Sequence, residues 1–163
     1  MWTDGAGGLV RRQGPTLEPQ GRTPVAVLGG TGYVGRLLAA RLLSHPTLCL
    51  GPVVGSKRSD GRRYKHVWQT KEQALVDNYG SQLWEPLPFP SQLDQLTVSS
   101  LDQLLASDCR LAVSCVAPDV GYVEDILTSH GFKVFSISPY KRTENLMVVE
   151  VNPQQMSASL ARE

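Results

Sequence analysis

The sequence is poor in cysteine and has no long apolar run. Its three cysteines are Cys49, Cys109 and Cys115, and they form neither a C-x-x-C pair nor a Cys/His spacing typical of zinc sites. A disulfide framework is therefore excluded as the basis of the fold, and we expect a reducing, cytoplasmic compartment. No run reaches the roughly 18 apolar residues that a membrane-spanning helix needs, so we expect no membrane partner.

An excess of charge of one sign is also missing. Lysine and arginine together number 16 and aspartate and glutamate 15, which gives a net charge of +1. Proteins that bind nucleic acid through their overall charge carry a clear basic excess, so the sequence predicts no nucleic-acid partner. The length of 163 residues suits one domain with a core of its own.

Glycine, by contrast, concentrates in the stretch VAVLGGTGYVG at residues 25–35. The aliphatic run predicts a buried strand, and the apolar residues that follow at helical spacing predict a helix. The glycines match both G-x-G-x-x-G and G-x-x-G-x-x-G, a turn that lets a pyrophosphate approach the free N–H groups at a helix start. We predict that this turn binds a coenzyme through Gly29, Gly30, Thr31, Gly32, Tyr33, Val34 and Gly35.

The end of the second predicted strand, at residues 48–54, indicates which coenzyme is bound. Units that bind NAD usually place Asp or Glu there, about 20 residues after the glycines, to hold the ribose 2′-hydroxyl. This chain instead has Ser56, Arg58 and Ser59, two hydroxyls and a guanidinium that suit a 2′-phosphate. The alternative is a solvated basic loop without a ligand. We favour the phosphate site and predict that the coenzyme is NADP.

Strands and helices alternate through most of the remaining chain. Residues 67–79 predict a short helix, and residues 84–90 are interrupted by prolines and cannot form a central strand. We interpret residues 66–95 as an excursion over the surface. The later predictions are a strand at 96–100, a helix at 101–106 that begins after Ser99 or Ser100, a strand at 110–116, a helix at 119–130 closed by Gly131, and a strand at 132–137.

This alternation predicts an α/β fold, a Rossmann-type doubly wound, mainly parallel sheet with helices on both faces. Ala117 and Pro118 follow the strand at 110–116, and open parallel sheets bind ligands at such carboxyl ends, so both are predicted coenzyme contacts. We divide the chain into a flexible leader at 1–22, an NAD(P)-binding Rossmann domain at 23–153 and a polar tail at 154–163.

Together these motifs resemble the N-terminal coenzyme-binding domain of aspartate-semialdehyde dehydrogenase. The matching stretches are LGGTGYVG at 28–35, LLSHP at 42–46, SKRSDG at 56–61, the strand ending at 117–118, and VEVN at 149–152. The first two are shared with N-acetyl-γ-glutamyl-phosphate reductases, whereas SKRSDG and VEVN look more like the semialdehyde dehydrogenase branch. Two positions depart from the family's usual pattern, since Gly30 stands where alanine is usual and Val149 where proline is usual.

The resemblance implies an oxidoreductase of amino-acid biosynthesis that reductively converts 4-aspartyl phosphate to aspartate semialdehyde. In that family a catalytic domain follows the EVN stretch and brings an Asn-Cys nucleophile, an acid/base histidine and a substrate-binding arginine. None of the three cysteines here stands in that context, so we assign no catalytic residue and expect the chain to bind NADP without catalysis. We expect the surface that a catalytic domain would cover to serve docking or homo-oligomer formation.

Other functions are consistent with the same glycine turn. A free-standing NADP-binding sensor or interaction module would share the coenzyme site, and an exposed apolar patch near residues 147–149 would favour it. The N-terminal domain of an N-acetyl-γ-glutamyl-phosphate reductase is a further alternative. Short-chain reductases and sugar epimerases need a Tyr-x-x-x-Lys pair, and no tyrosine of this sequence is followed four residues later by lysine. That class is excluded.

Overall fold

The computed structural model describes residues 21–141. Their strands form a four-stranded sheet in which every pairing is parallel, in the order β2-β1-β3-β4. The strands are β1 (Thr23–Leu28), β2 (Leu48–Val54), β3 (Leu111–Ser114) and β4 (Lys133–Ser136). The chain runs from β1 outward to β2 and then crosses to the other side of β1. This reversal is the topological switch point of a doubly wound sheet, and the predicted fold class is confirmed.

Helices cover both faces of this sheet because alternate residues of each strand point to opposite sides. On one face, Val25 and Val27 of β1 pack with α1 (Tyr33–Leu42) and α2 (Tyr64–Tyr79). On the other face, Ala26 and Leu28 pack with α3 (Leu101–Leu105) and α4 (Val123–Ser129). The core therefore consists of two layers separated by the sheet.

Helix α2 is longer and more deeply packed than its sequence suggests. Residues 66–95 are predicted to pass over the surface, but α2 spans 16 residues and buries Tyr64 and Trp68, which are 0% and 1% exposed. The Trp68 indole donates a hydrogen bond of 3.0 Å to the Leu87 carbonyl, which ties the proline-containing segment to the helix. The interpretation as a surface excursion is wrong for α2, because its aromatic residues complete the core beneath α1.

The predicted strand at residues 96–100 does not form. In its place are two isolated bridges, a parallel one between Val54 and Ser99 and an antiparallel one between Arg63 and Thr97. The Ser99 amide donates to the Val53 carbonyl at 2.8 Å, whereas the Val98 amide donates to the Arg62 carbonyl at 2.9 Å. Successive residues thus bond to two different segments, so no continuous ladder develops. The following helix begins as predicted, with Ser100 as N-cap in a capping box with Gln103.

Helix α4 is shorter than the predicted range of 119–130. A 3₁₀ turn at Pro118–Val120 comes first, and the α-helix begins only at Val123. Gly121 lies between them under the Tyr140 ring, where a Cβ atom would overlap the ring. The end of the helix agrees with the prediction, because Gly131 has a φ of 78° and the Phe132 amide donates to the Leu127 carbonyl at 3.0 Å.

Strand β4 forms one edge of the sheet in the described residues. It pairs with β3 but is largely exposed, with Phe135 65% accessible. The helices that cover both faces of the sheet therefore do not cover both faces of this strand. No helix within residues 21–141 is long and apolar enough to cross a membrane. Three predicted features lie outside the described residues: the leader up to residue 20, the apolar patch near residues 147–149 and the polar tail at 154–163.

Candidate coenzyme-binding site

Three loops meet at the carboxyl edge of the sheet, beside the switch point. The glycine turn follows β1, the basic loop at residues 55–59 follows β2, and residues 115–118 follow β3. The Gly30 amide donates to the Val54 carbonyl at 3.0 Å, and the Cys115 amide donates to the Leu28 carbonyl at 2.9 Å. These bonds fix the loops relative to one another. Parallel sheets bind ligands in the crevice that such loops form.

Two glycines of the turn are required by the fold itself. Gly29 has a φ of 68°, and a Cβ atom there would lie 2.8 Å from the Cys115 carbonyl oxygen. A Cβ atom at Gly35 would overlap the Gly29 carbonyl oxygen and lie 2.6 Å from the Gly30 Cα. These glycines let the turn approach β3 and let α1 leave the strand at close range. Their presence is explained without a ligand.

Gly32 differs, because its backbone conformation does not require a glycine. It is the N-cap of α1 with φ −75° and ψ 171°, a conformation open to any residue. A Cβ atom would meet one neighbour within 4 Å in the described chain, the Gly29 carbonyl oxygen at 3.2 Å. The open side of Gly32 faces away from the protein, since the residue is exposed together with Tyr33 and Val34. A glycine at this position fits close approach of a ligand.

The start of α1 offers hydrogen-bond donors to an anion. No side chain in the described residues caps the helix, and its first turn contains no acidic residue. The first N–H groups of a helix have no partner within it and carry the positive end of the helix dipole. An exposed helix start next to a glycine turn therefore fits a pyrophosphate.

The carbonyl groups of the turn are held from the protein side. The buried Tyr64 hydroxyl donates to the Gly30 carbonyl at 2.7 Å, and Arg36 Nη1 donates to the Thr31 carbonyl at 2.9 Å. Burial raises the pKa of Tyr64 well above its usual value, so the hydroxyl keeps the proton that it donates. Neither Tyr64 nor Arg36 is a predicted site residue. Only the tertiary fold shows that α2 reaches the turn.

Glu72 of α2 completes this network. Its Oε1 atom accepts from Arg36 Nη2 at 2.5 Å, and its Oε2 atom accepts from Trp84 Nε1 and the Leu87 amide, both at 3.0 Å. Burial alone would raise the pKa of Glu72, but the hydrogen bonds from Trp84, Leu87 and Arg36 outweigh it and hold the pKa below its usual value. The carboxylate is therefore ionised and its lone pairs are used.

The three predicted site residues of the basic loop after β2 differ in exposure and in hydrogen bonding. Ser56 and Arg58 are exposed, and Arg58 makes no hydrogen bond or ion pair within residues 21–141. Ser59 is only 6% exposed, and its hydroxyl donates to the Ser56 carbonyl at 2.9 Å. Gly55 connects this loop to the glycine turn, because a Cβ atom there would lie 3.0 Å from Thr31 Cγ2. Within the described residues, the basic loop thus offers an exposed guanidinium without a partner, whereas Ser59 stabilises its own loop.

The third loop supplies the opposite wall of the crevice. Ala117 and Pro118 are exposed at the end of β3 and begin the 3₁₀ turn. Cys115 precedes them and is half-buried, and burial raises the pKa of its thiol. A raised pKa keeps the thiol protonated near neutral pH and so disfavours a nucleophilic role. Cys49 and Cys109 are buried in the core layers.

Comparison with known proteins agrees with this geometry. The family profile described as "Semialdehyde dehydrogenase, NAD binding domain" matches residues 24–159. The chain belongs to this family. The match includes the glycine turn, the basic loop and the end of β3, so the crevice lies in a pyridine-nucleotide-binding domain. The resemblance inferred from the sequence is confirmed.

Similar curated and solved proteins include aspartate-semialdehyde dehydrogenases. The protein of that name from Trichophyton rubrum is 32% identical over 126 residues, which cover 77% of this chain and 31% of the relative. The structure of aspartate-semialdehyde dehydrogenase with NADP from Candida albicans matches with a TM-score of 0.63 at 24% identity. The match covers 83% of this chain and 36% of the Candida albicans chain. The Vibrio cholerae structure has a TM-score of 0.55 at 18% identity, with coverage of 83% and 38%. The chain thus spans about a third of the length of these relatives.

Proposed function

We propose that this chain is the NADP-binding domain of an aspartate-semialdehyde dehydrogenase, the enzyme that reductively converts 4-aspartyl phosphate to aspartate semialdehyde. One observation carries the coenzyme preference: the exposed Arg58 guanidinium, which has no partner among residues 21–141, lies in the loop after β2, where NAD-binding domains have a carboxylate. The 32% identity to an aspartate-semialdehyde dehydrogenase supports the choice of enzyme.

In this proposal each loop binds one part of the coenzyme. The glycine turn and the first N–H groups of α1 bind the pyrophosphate, with Gly32 at the closest approach. Arg58 and Ser56 bind the 2′-phosphate through charge-assisted hydrogen bonds, and Ser59 keeps their loop in shape. Ala117 and Pro118 border the crevice on the side of β3. When bound, the coenzyme supplies a hydride donor or acceptor, and the residues of this chain hold and orient it.

Replacing Arg58 with alanine is expected to weaken NADP binding and leave NAD binding almost unchanged. A hydrogen bond to a charged group contributes about 1.5–3 kcal/mol, which corresponds to a loss of roughly tenfold to 150-fold in affinity. Isothermal titration calorimetry with both coenzymes measures the change. Arg62→Ala is the matched control, because it removes an equal charge from an exposed position four residues along the chain. Equal losses for both coenzymes, or for both variants, would contradict the role of Arg58.

The 163-residue polypeptide is expected to show no turnover with aspartate semialdehyde, phosphate and NADP. The reaction needs a thiolate nucleophile paired with an acid/base group, whereas Cys49 and Cys109 are buried and the pKa of Cys115 is raised. A spectrophotometric assay of NADPH formation at 340 nm measures turnover. Turnover that disappears in Cys115→Ser would show that this residue is a nucleophile and that our interpretation of β3 is wrong.

A further inference from the structure

We infer that the buried Arg36–Glu72 ion pair positions the coenzyme-binding turn, so that coenzyme affinity depends on two residues that are themselves buried beneath the site. This inference rests on the proposed function, because it concerns the same turn. Arg36 is a positioning residue that acts through the Thr31 carbonyl, and Glu72 in turn orients Arg36. Both side chains are almost fully buried, with 1% and 5% of their surface exposed.

The guanidinium of Arg36 connects two parts of the chain that are far apart in sequence. One nitrogen, Nη1, donates to the Thr31 carbonyl in the turn, and the other, Nη2, donates to Glu72 in α2. The planar fork of an arginine keeps these two donors in a constant geometry. The guanidinium also lies 5.7 Å from the centre of the Trp68 ring, which leaves it little freedom to move. A shift of α2 is therefore transmitted to the turn.

The position of Arg36 is unfavourable for helix α1 by itself. A cation within the first turn and a half of a helix opposes the positive end of the helix dipole, and α1 has no acidic residue in its first turn to offset it. Glu72 supplies the missing negative charge from the neighbouring helix. An arginine that only filled space here would be replaceable by an aliphatic residue, which needs no buried partner. The polar contact with Thr31 is what an aliphatic residue cannot make.

The carboxylate of Glu72 is itself fixed on its other side. Trp84 Nε1 and the Leu87 amide both donate to Oε2, and the Trp84 ring packs edge-on against Tyr33, the first residue of α1, at 5.0 Å between ring centres. The same network thus reaches the turn twice, through the Thr31 carbonyl and through Tyr33. Gly32, Tyr33 and Val34 at the helix start nevertheless stay exposed.

A double variant separates positioning from stability. Removing one partner of a buried ion pair leaves an unpaired charge and destabilises the protein, whereas replacing both with apolar residues is often neutral. We therefore expect Arg36→Met and Glu72→Met each to lower the melting temperature. The double variant should recover the part of that loss that comes from the unpaired charge, but not the part that comes from Trp84 Nε1 and the Leu87 amide, which lose their acceptor. The double variant also leaves the net charge unchanged, so the electrostatic attraction for an anionic coenzyme is not altered by an excess charge.

The double variant is expected to bind NADP roughly tenfold more weakly than the parent although its melting temperature partly recovers, because the Thr31 carbonyl loses its donor. Hydrogen–deuterium exchange without coenzyme gives an independent measurement. Amides of residues 29–35 should exchange faster in the double variant, while those of α4 on the opposite face should be unchanged. Leu127→Ala is the control, since it weakens the other core layer and should not alter the turn selectively.

The inference would be overturned if the double variant had the NADP affinity of the parent and the amides of residues 29–35 exchanged as slowly as in the parent. If the double variant does not fold, Arg36→Lys replaces it, because a single ammonium keeps the charge but lacks the two-nitrogen fork. NADP affinity and amide exchange at residues 29–35 equal to those of the parent in Arg36→Lys would then overturn the inference. A parent protein that does not bind NADP contradicts the proposed function instead, and the exchange rates of residues 29–35 alone decide whether the pair positions the turn.

Discussion

Replacing Gly32 with valine is expected to abolish coenzyme binding while the protein stays folded. The backbone of Gly32 lies in the extended region, with φ −75° and ψ 171°, which suits a β-branched residue. As a poorer N-cap, valine costs about 1 kcal/mol or less. Its side chain, however, would occupy the open side of the turn, where we propose that the pyrophosphate binds. We expect an affinity loss of roughly a hundredfold or more, equivalent to about 2.7 kcal/mol.

Calorimetric titration with NADP and thermal unfolding of the same samples test this expectation. Arg41→Val is the matched control, because it adds the same side chain to an exposed position near the other end of α1. The control should bind NADP as the parent does. Normal NADP binding by folded Gly32→Val would mean that the phosphate site lies elsewhere.

Replacing Gly29 with alanine is expected to cost much more stability than the same change at Gly61. The two glycines have nearly equal φ values, 68° and 71°, so the strain of a left-handed alanine, about 1–2 kcal/mol, is common to both. They differ in their neighbours. A Cβ atom at Gly29 would lie 2.8 Å from the Cys115 carbonyl oxygen, whereas a Cβ atom at Gly61 would have no described residue within 4 Å other than its neighbours in the chain. We expect Gly29→Ala to lose roughly a further 1–3 kcal/mol.

Urea-induced unfolding of both variants gives the difference directly, because the common strain cancels. The difference measures how closely the turn after β1 approaches the end of β3, which is the geometry of the switch point. Equal free energies of unfolding for Gly29→Ala and Gly61→Ala would contradict that close approach. Coenzyme binding need not be measured for this test.

The sequence predicts well those features that depend on neighbouring residues. The strand, glycine turn and helix at residues 25–42 follow from local spacing alone, and so does the Ser100 cap of α3. The parallel sheet follows from the alternation of strands and helices. The exposure of Arg58 agrees with its place in a polar loop. In each case the residues that decide the structure are adjacent in the chain.

The features that the sequence does not predict depend on contacts between distant segments. Arg36 and Glu72 are 36 residues apart, and no local pattern indicates that an arginine on α1 is buried against α2. Helical spacing predicts Val34 on the apolar face of α1, yet Val34 is 47% exposed and Arg36 is 1% exposed. The residues at 96–100 have strand propensity, but their bonding partners alternate between two segments. Tertiary packing overrides the local preference at these positions.

The same tertiary contacts hold the glycine turn in its shape. Its carbonyls bond to Tyr64 and Arg36, and two of its glycines pack against the backbone of β3 and of the turn itself. A preformed turn loses little conformational entropy when the coenzyme binds. Within the proposed function, the hydrogen bonds from Tyr64 and Arg36 to the turn therefore lower the entropic cost of binding the coenzyme.

Mapping the coenzyme by NMR tests the central claim most directly. Adding NADP to the isotope-labelled 163-residue protein should shift the backbone amides of three separate segments together, residues 29–35, 55–59 and 115–117, with a single dissociation constant. NAD should shift the first and third segments and leave the second almost unchanged, because it lacks the 2′-phosphate. Shifts confined to other parts of the sheet, or no shifts at millimolar NADP, would contradict the proposal that this crevice binds the coenzyme.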